Sequence, residues 1–376
     1  MRLPRTLFGY LSLEILQYTA LGFITLTIVL VSQNALRRLD DVVTVGATLP
    51  DFLVVMRCFI PMLTSYTLPM AFLFGVLFAV SRLSADSELL AMRASGLGVG
   101  TLLGPAVALG LLISGLTAAT MIEFEHRAHR RLRTVIETVA ARGGFLEPGE
   151  FRGFGHRTIY IESRDRSNRL LGVMISDRHD AERPYVIFAE RGQFSFDEQN
   201  SVFRLELDDG TLHLEGRDPK RSPYRRISFD SLSYVLDVNS LISGLTAAVR
   251  PRQMSATELR EVIARGAAGE ELVGYDQRDP VAYELELHRR FAFPVAPVLF
   301  ALIGVPLGLR SSRNARVWGT LLSLLLAFGY YSLLSFAQLL AEDRWLPPVV
   351  ALWIPNGLCL LLAAVLIRRS NRVAAK

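Results

Sequence analysis

Glu125, His126 and His129 in the run EFEHRAHRR could share one helical face and superficially resemble a metal site. A zinc site of the protease kind places two histidines four residues apart around a glutamate base, H-E-x-x-H. Here the histidines are three apart and lack that glutamate, so the run reads as a solvated helix and not as a metal site. The other histidines, His156, His179, His213 and His288, are scattered. A conventional P-loop ATPase is excluded more firmly. The only lysines are Lys220 and Lys376, and neither follows a glycine. The G-x-x-x-x-G-K-[ST] loop that cradles ATP phosphates is therefore absent. No G-x-S-x-G nucleophile elbow occurs. Cys58 and Cys359 are the only cysteines and fall in or near apolar stretches. The chain thus reads as no enzyme and as binding no cofactor itself; any ATP it depends on is hydrolysed by a partner.

The elements that carry these residues are mostly apolar. Of 376 residues 51% are hydrophobic, and the mean hydropathy is +0.31, which points to a membrane protein. A spanning helix needs about 20 predominantly apolar residues. Leu11–Val31, Ile60–Val80, Leu97–Ile122, Phe291–Leu309, Val317–Leu340 and Leu346–Ile367 meet that requirement. Between Glu123 and Arg290 the chain is charge-rich and too polar to span, yet long enough for an independent domain. The expected division is 1–122 for helices one to three, 123–278 for an inserted β-domain with its return linker, and 279–376 for helices four to six.

The net charge of +5 has a topological reading that makes a nucleic-acid partner unnecessary. Arg2 and Arg5 precede helix one; Arg310, Arg313 and Arg316 fill the loop between helices four and five; Arg368, Arg369, Arg372 and Lys376 follow helix six. Alternating helices put all of these on one side, which the positive-inside rule makes cytoplasmic. The opposite short loops hold Arg37, Arg38, Asp40, Asp41 and Asp51, then Glu342, Asp343 and Arg344. The β-domain then lies outside the cytoplasm, with no cysteine to cross-link it.

Within that domain Arg157–Ser163, Leu170–Ser176, Tyr185–Ala189, Gln193–Phe196, Val202–Leu207, Thr211–Leu214 and Arg226–Val235 alternate with period two. Asp209-Gly210 is a hairpin signal between two of them. Seven short strands suggest a sandwich or jelly roll. Ser255 and Glu258 form a capping box that opens a short helix to about Arg265. Gly266–Arg278 reads as a linker, and Asp279–Arg290 as a helix entering the fourth span. Between helices two and three, SRLSADSELLAMRASG (81–96) breaks the spanning pattern with Asp86, Glu88 and Arg93. Glu88–Met92 are helix formers and Gly96 suits a C-terminal cap, so a short surface helix is expected there.

At this point three stretches resemble the lipopolysaccharide-export permeases of the LptF/LptG family. They are DSELLAMRASG at Asp86–Gly96, ELHRRFAFPVAPVLFALIGVPLG at Glu286–Gly308 and LPPVVALWIPN at Leu346–Asn356. The order of three helices, outer β-domain and three helices is similar too. The stretches SQNALRRLDDVVTVGA and RPYVIFAERGQF look more like the F-type of the family's two paralogous subunits. The resemblance implies a polytopic inner-membrane permease of six helices with a periplasmic jellyroll-like domain. It implies a second, LptG-type permease, a dimeric cytoplasmic LptB-type ATPase, a single-span LptC-type protein and a periplasmic LptA-type bridge as partners, with lipopolysaccharide as the substrate. Glu88 takes the position of the family's coupling glutamate, which docks in a groove of the ATPase; Asp86 and Arg93, seven residues apart on one face, are expected to assist. Arg37 falls where the family sets a base against lipid phosphates, and arginine's planar fork suits that task. Arg38 is a neighbouring candidate, although Asn34 stands where a lysine is expected. Tyr330, Tyr331 and Gln338 on helix five are candidate cavity linings. Phe188, Phe194, Phe196 and Phe203 are candidates for an acyl groove in the β-domain. A competing reading is a membrane-anchored periplasmic scaffold without transport activity; six helices exceed what an anchor needs.

Overall fold

The computed structural model describes residues 5–44, 48–95, 98–141, 148–154, 156–165, 169–178, 184–197, 202–214, 224–237, 250–268, 270, 280–309 and 315–374. The chain forms two compact units. One holds residues 1–35, 56–130 and 250–376; the other holds 36–55 and 131–249.

The helical elements are α1 (Arg5–Thr44), α2 (Leu49–Ala85), α3 (Glu88–Ala94), α4 (Val99–Ala119), α5 (Glu125–Ala141), α6 (Ala256–Ala267), α7 (Pro280–Ala292), α8 (Ala296–Gly308), α9 (Ala315–Glu342) and α10 (Pro348–Ala374). Among the described residues six helical runs are long and apolar enough to cross a membrane: Arg5–Ala35, Leu49–Ala85, Gly100–Val135, Pro280–Gly308, Gly319–Glu342 and Pro348–Ser370. Two of them join separate pieces. A π-helical turn at Thr120–Phe124 carries α4 into α5, and a 3₁₀ turn at Phe293–Val295, containing Pro294, carries α7 into α8. Pro294 has no N–H to donate, which loosens the ladder at that joint.

The helical core forms around α2 and α7–α8. Their most apolar windows are 67% and 72% buried, against 11% for α1. Close approach comes from small residues, as packing between membrane helices requires. A Cβ on Gly75 of α2 would stand 2.7 Å from the backbone nitrogen of Thr19 in α1. On α8, Gly304 and Gly308 lie one turn apart, and a Cβ on either would press within 2.9 Å of Val76 or Val80 of α2. The surrounding core includes Phe72, Val76, Leu83 and Leu89 on one side and Leu73, Phe293, Phe300, Tyr330 and Leu334 on the other.

In the second unit six strands form one antiparallel sheet in sequence order: β1 (Phe151–Phe154), β2 (Arg157–Arg164), β3 (Leu170–Asp177), β4 (Tyr185–Asp197), β5 (Val202–Leu214) and β6 (Arg225–Asp237). Alternation buries one face, with Ile159, Ile161, Val173, Ile175, Ile187, Ala189, Leu205 and Leu207 at its core. The sequence divides this region into more and shorter strands than form. Tyr185–Ala189 and Gln193–Phe196 are parts of β4. Val202–Leu207 and Thr211–Leu214 are parts of β5. Asp209-Gly210 does not turn the chain. Asp209 takes a left-handed conformation (φ 55°), its carboxylate pairs with Arg191 of β4, and Gly210 stays in register between Ala189 and Phe229. Both neighbouring strands continue past the dipeptide, so the ladder overrides the local turn preference. The capping box of α6 forms as the sequence predicts: Ser255 N donates to Glu258 Oε2 at 2.7 Å, and Glu258 N donates to Ser255 Oγ at 3.3 Å.

Candidate functional site

The corner between α2 and α4 carries the charged residues of the sequence motif. The chain leaves α2 at Ala85, turns through Ser87 in a left-handed conformation (φ 62°), and begins α3 at Glu88. Leu89 anchors α3 in the core at 4% exposure, and the half-buried Glu88 stands at its first turn. Tyr10 of α1 donates its hydroxyl to Glu88 Oε2 at 2.9 Å. Arg82, in the last turn of α2, bonds Asp86 Oδ2 at 3.2 Å and also pairs with Glu14 of α1. Glu14 is 6% exposed. Two neighbouring sets of bonds, Tyr10 with Glu88 and Glu14 through Arg82 with Asp86, therefore fasten α1 to α3 and to the end of α2. Sequence reading missed Tyr10 and Glu14; a lone glutamate inside a spanning segment was the available signal. Arg93 lies on α3, and its side chain falls outside the described residues.

Arg37 and Arg38 belong to α1, with side chains outside the described residues. Asn34, one turn before, turns its amide back to the carbonyl of Leu30 at 2.8 Å. On α9, Tyr330 is 4% exposed and donates to Asn356 Oδ1 at 3.0 Å; Asn356 in turn donates to the carbonyl of Ala292 at 2.8 Å. Tyr331 donates to the carbonyl of Tyr66 at 3.2 Å. Both tyrosines thus satisfy their hydroxyls inside the helical core and stitch α9 to α2 and α10. Tyr330 also borders a cavity of about 210 Å³ with Phe300, Leu326 and Leu362. Gln338 is half-buried on the same helix.

A second ionic cluster was not legible in the sequence. Arg289 of α7 donates Nη2 to Glu125 Oε1 at 2.8 Å and Nε to Glu286 Oε2 at 2.9 Å, and it bonds the Tyr66 hydroxyl through Nη1. Arg290 Nε reaches Glu286 Oε1 at 2.9 Å, and Ser65 of α2 donates to Glu125 Oε2 at 3.0 Å. Two glutamates and two arginines cancel, which is the condition for burying charge at all. The run EFEHRAHRR is accordingly not solvated all round. Glu125, His126 and Ala128 turn inward and are buried, while Arg127 and Arg131 stay exposed. The amphipathic period hides this because a buried glutamate and a solvated one look alike until the partner arginine is placed. Among the described residues no group of three or more His, Cys, Asp and Glu converges in a way that could hold a metal ion.

In the sheet, Asp177 takes the place of a cross-link. At 2% exposure it accepts from Arg157 Nε at 2.7 Å and from the hydroxyls of Tyr185 and Tyr234 at 3.0 Å. Burial works against the Arg157 charge, but the bond to Asp177 more than compensates and raises its pKa. Burial likewise lifts both tyrosines above the ordinary phenol range, so they remain donors. On the other face, Phe151, Tyr160, Met174, Phe188, Thr211 and Ser228 are successive register partners across all six strands. They line a groove of about 950 Å³ with Gly172 and Phe229. Phe188 is 45% exposed there. Phe194 packs against the opposite, buried face. The side chains of Phe196 and Phe203 lie outside the described residues.

Residues 9–369 match the family described as lipopolysaccharide export system permease LptF/LptG. The chain is similar to the lipopolysaccharide export system permease protein LptF of Escherichia coli (strain K12), at 24% identity over 313 residues, covering 82% of this chain and 79% of that protein. The LptF protein of Shigella flexneri matches to the same extent. An uncharacterised protein of Rickettsia prowazekii (strain Madrid E) is 25% identical over 203 residues, 53% of this chain and 54% of its own.

Proposed function

Because the chain belongs to the lipopolysaccharide export system permease LptF/LptG family, we propose that it is an F-type permease subunit which lifts lipopolysaccharide out of the inner membrane with energy from a separate ATPase. The observation that carries this reading is α3. It is a short helix between the second and third spans, opened by Glu88 and anchored by Leu89. It lies on the side where sequence charge puts the arginine-rich ends of helices one, four, five and six. A carboxylate there can pair with a basic groove of an LptB-type ATPase dimer and receive its closure as a push, assisted by Asp86 and Arg93. ATP is bound by that partner and not by this chain.

The remainder of the cycle follows from the same frame. A second, LptG-type permease completes the cavity, and a single-span LptC-type protein sits beside it. Arg37 and Arg38, near the outer end of α1, meet lipid phosphates. The β-domain, on the periplasmic side, passes acyl chains to an LptA-type bridge, and the open face around Phe188 is the surface available for them. Replacing Glu88 with arginine sets like charge against the basic groove. Glu88→Arg is expected to abolish co-purification of the ATPase, and Glu88→Ala to weaken it. Normal assembly and export in both variants would remove the assignment. A photo-crosslinker at position 37 should capture lipopolysaccharide in an exporting complex; its failure to do so would remove the cavity role.

A further inference from the structure

We infer that Tyr10 and Glu14 are positioning residues that make α1 move with the coupling helix, so that the ATPase drives α1 directly. The inference rests on the reading of Glu88 as the ATPase contact. Tyr10 is bonded to that same carboxylate at 2.9 Å. Arg82, one turn before α3, holds Asp86 on one side and Glu14 on the other. Tyr10 thus reaches α3 directly, and Glu14 reaches the turn before it through Arg82.

The packing of α1 explains why this matters. Leu11 and Ile15 sit in the core against α2, and Thr19 meets Gly75. Gly22 and Phe23 still meet the core, but Leu21, Ile24, Ile28 and Val29 are between 56% and 60% exposed. A helix fastened along its first turns and exposed at Ile24, Ile28 and Val29 follows whatever moves the fastened end. Glu14 is buried, and separating a buried carboxylate from the arginine it pairs with leaves a charge uncompensated. Arg82 also holds Asp86 in the turn that opens α3, so a displacement carried through that turn takes α1 along more cheaply than it breaks the pair. The same bonds impose the reverse link, because coupling between two sites is reciprocal: whatever displaces α1 also shifts Glu88.

The test uses the complete complex in proteoliposomes and measures lipopolysaccharide delivered to a soluble acceptor per ATP hydrolysed. Tyr10→Phe removes one exposed hydroxyl and leaves the fold intact. Glu14→Gln removes the buried charge. Both are expected to assemble and hydrolyse ATP while delivering at least about fivefold less lipid per ATP, the low end of a typical coupling between sites. Exchanging the pair, Glu14→Arg with Arg82→Glu, should recover part of the loss. Unchanged delivery per ATP in Tyr10→Phe and Glu14→Gln would overturn the inference, and should Glu14→Gln fail to fold, an unchanged ratio in Tyr10→Phe overturns it alone. Loss of the premise reads differently: Glu88→Arg would then still bind the ATPase and export.

Discussion

Arg289 spends its whole guanidinium: Nε and Nη2 on Glu286, Nη2 again on Glu125, and Nη1 on the Tyr66 hydroxyl. A lysine ammonium has three donors and no planar fork, so it cannot reproduce that set. Arg289→Ala leaves Glu286 with Arg290 but takes from Glu125 its bonded arginine, and breaking a buried pair in this way costs about 3–5 kcal/mol. We expect a lower Tm in detergent for Arg289→Ala, and only a small recovery in Arg289→Lys; a Tm equal to wild type would show the cluster to be energetically idle. Glu258 offers a pH-dependent counterpart outside the spans. The hydrogen bond from Arg130 holds its carboxyl below the usual value of 4.5. A lowered folded-state pKa contributes stability that is present above 4.5 and lost as pH falls through the folded value. Acidification below pH 4.5 should therefore free α6 from α5, read as a rise in proteolysis near Arg265, and Glu258→Gln should remove that pH dependence.

At the scale of elements, legibility followed how local the cause was. The spans, the capping box at Ser255 and Glu258, and the break at 81–96 depend on residues within one or two turns, and each lies where the sequence puts it. The strands fared less well. Whether Asp209-Gly210 ends a strand is decided by the neighbours on both sides, Ala189 and Phe229, which lie far away in the chain. The ionic clusters failed for the same reason: Glu125 and Arg289 are 164 residues apart. Helix contact gives a prediction of its own. Gly75→Ala puts a methyl against the backbone of Thr19, and overpacking of this kind costs about 1–3 kcal/mol. Gly9, where an added Cβ would meet nothing within 4 Å, is the control. A destabilised Gly75→Ala beside an unaffected Gly9→Ala is expected in thermal unfolding; equal effects would place the cost in helix propensity and not in the contact of α1 with α2.

For the whole molecule, the proposed topology puts both ends of the chain on the cytoplasmic side, as the arginine distribution predicts. With Cys58 and Cys359 replaced by alanine, a membrane-impermeant maleimide should label Asp343→Cys, in the turn between α9 and α10, from outside intact spheroplasts. It should reach Ser95→Cys, at the end of α3, only after permeabilisation. The reverse pattern would invert the topology and take the coupling role of Glu88 with it. The β-domain holds its strands together without a disulfide. Between Cys58 and Cys359 the chain has no cysteine, and the strand ends are tied instead by Asp177, Arg157, Tyr185 and Tyr234. Such a knot closes as soon as the strands meet and waits for no oxidant. A cell growing without oxygen, or stripped of the enzymes that oxidise thiols, would mature this domain at the same pace as one growing in air.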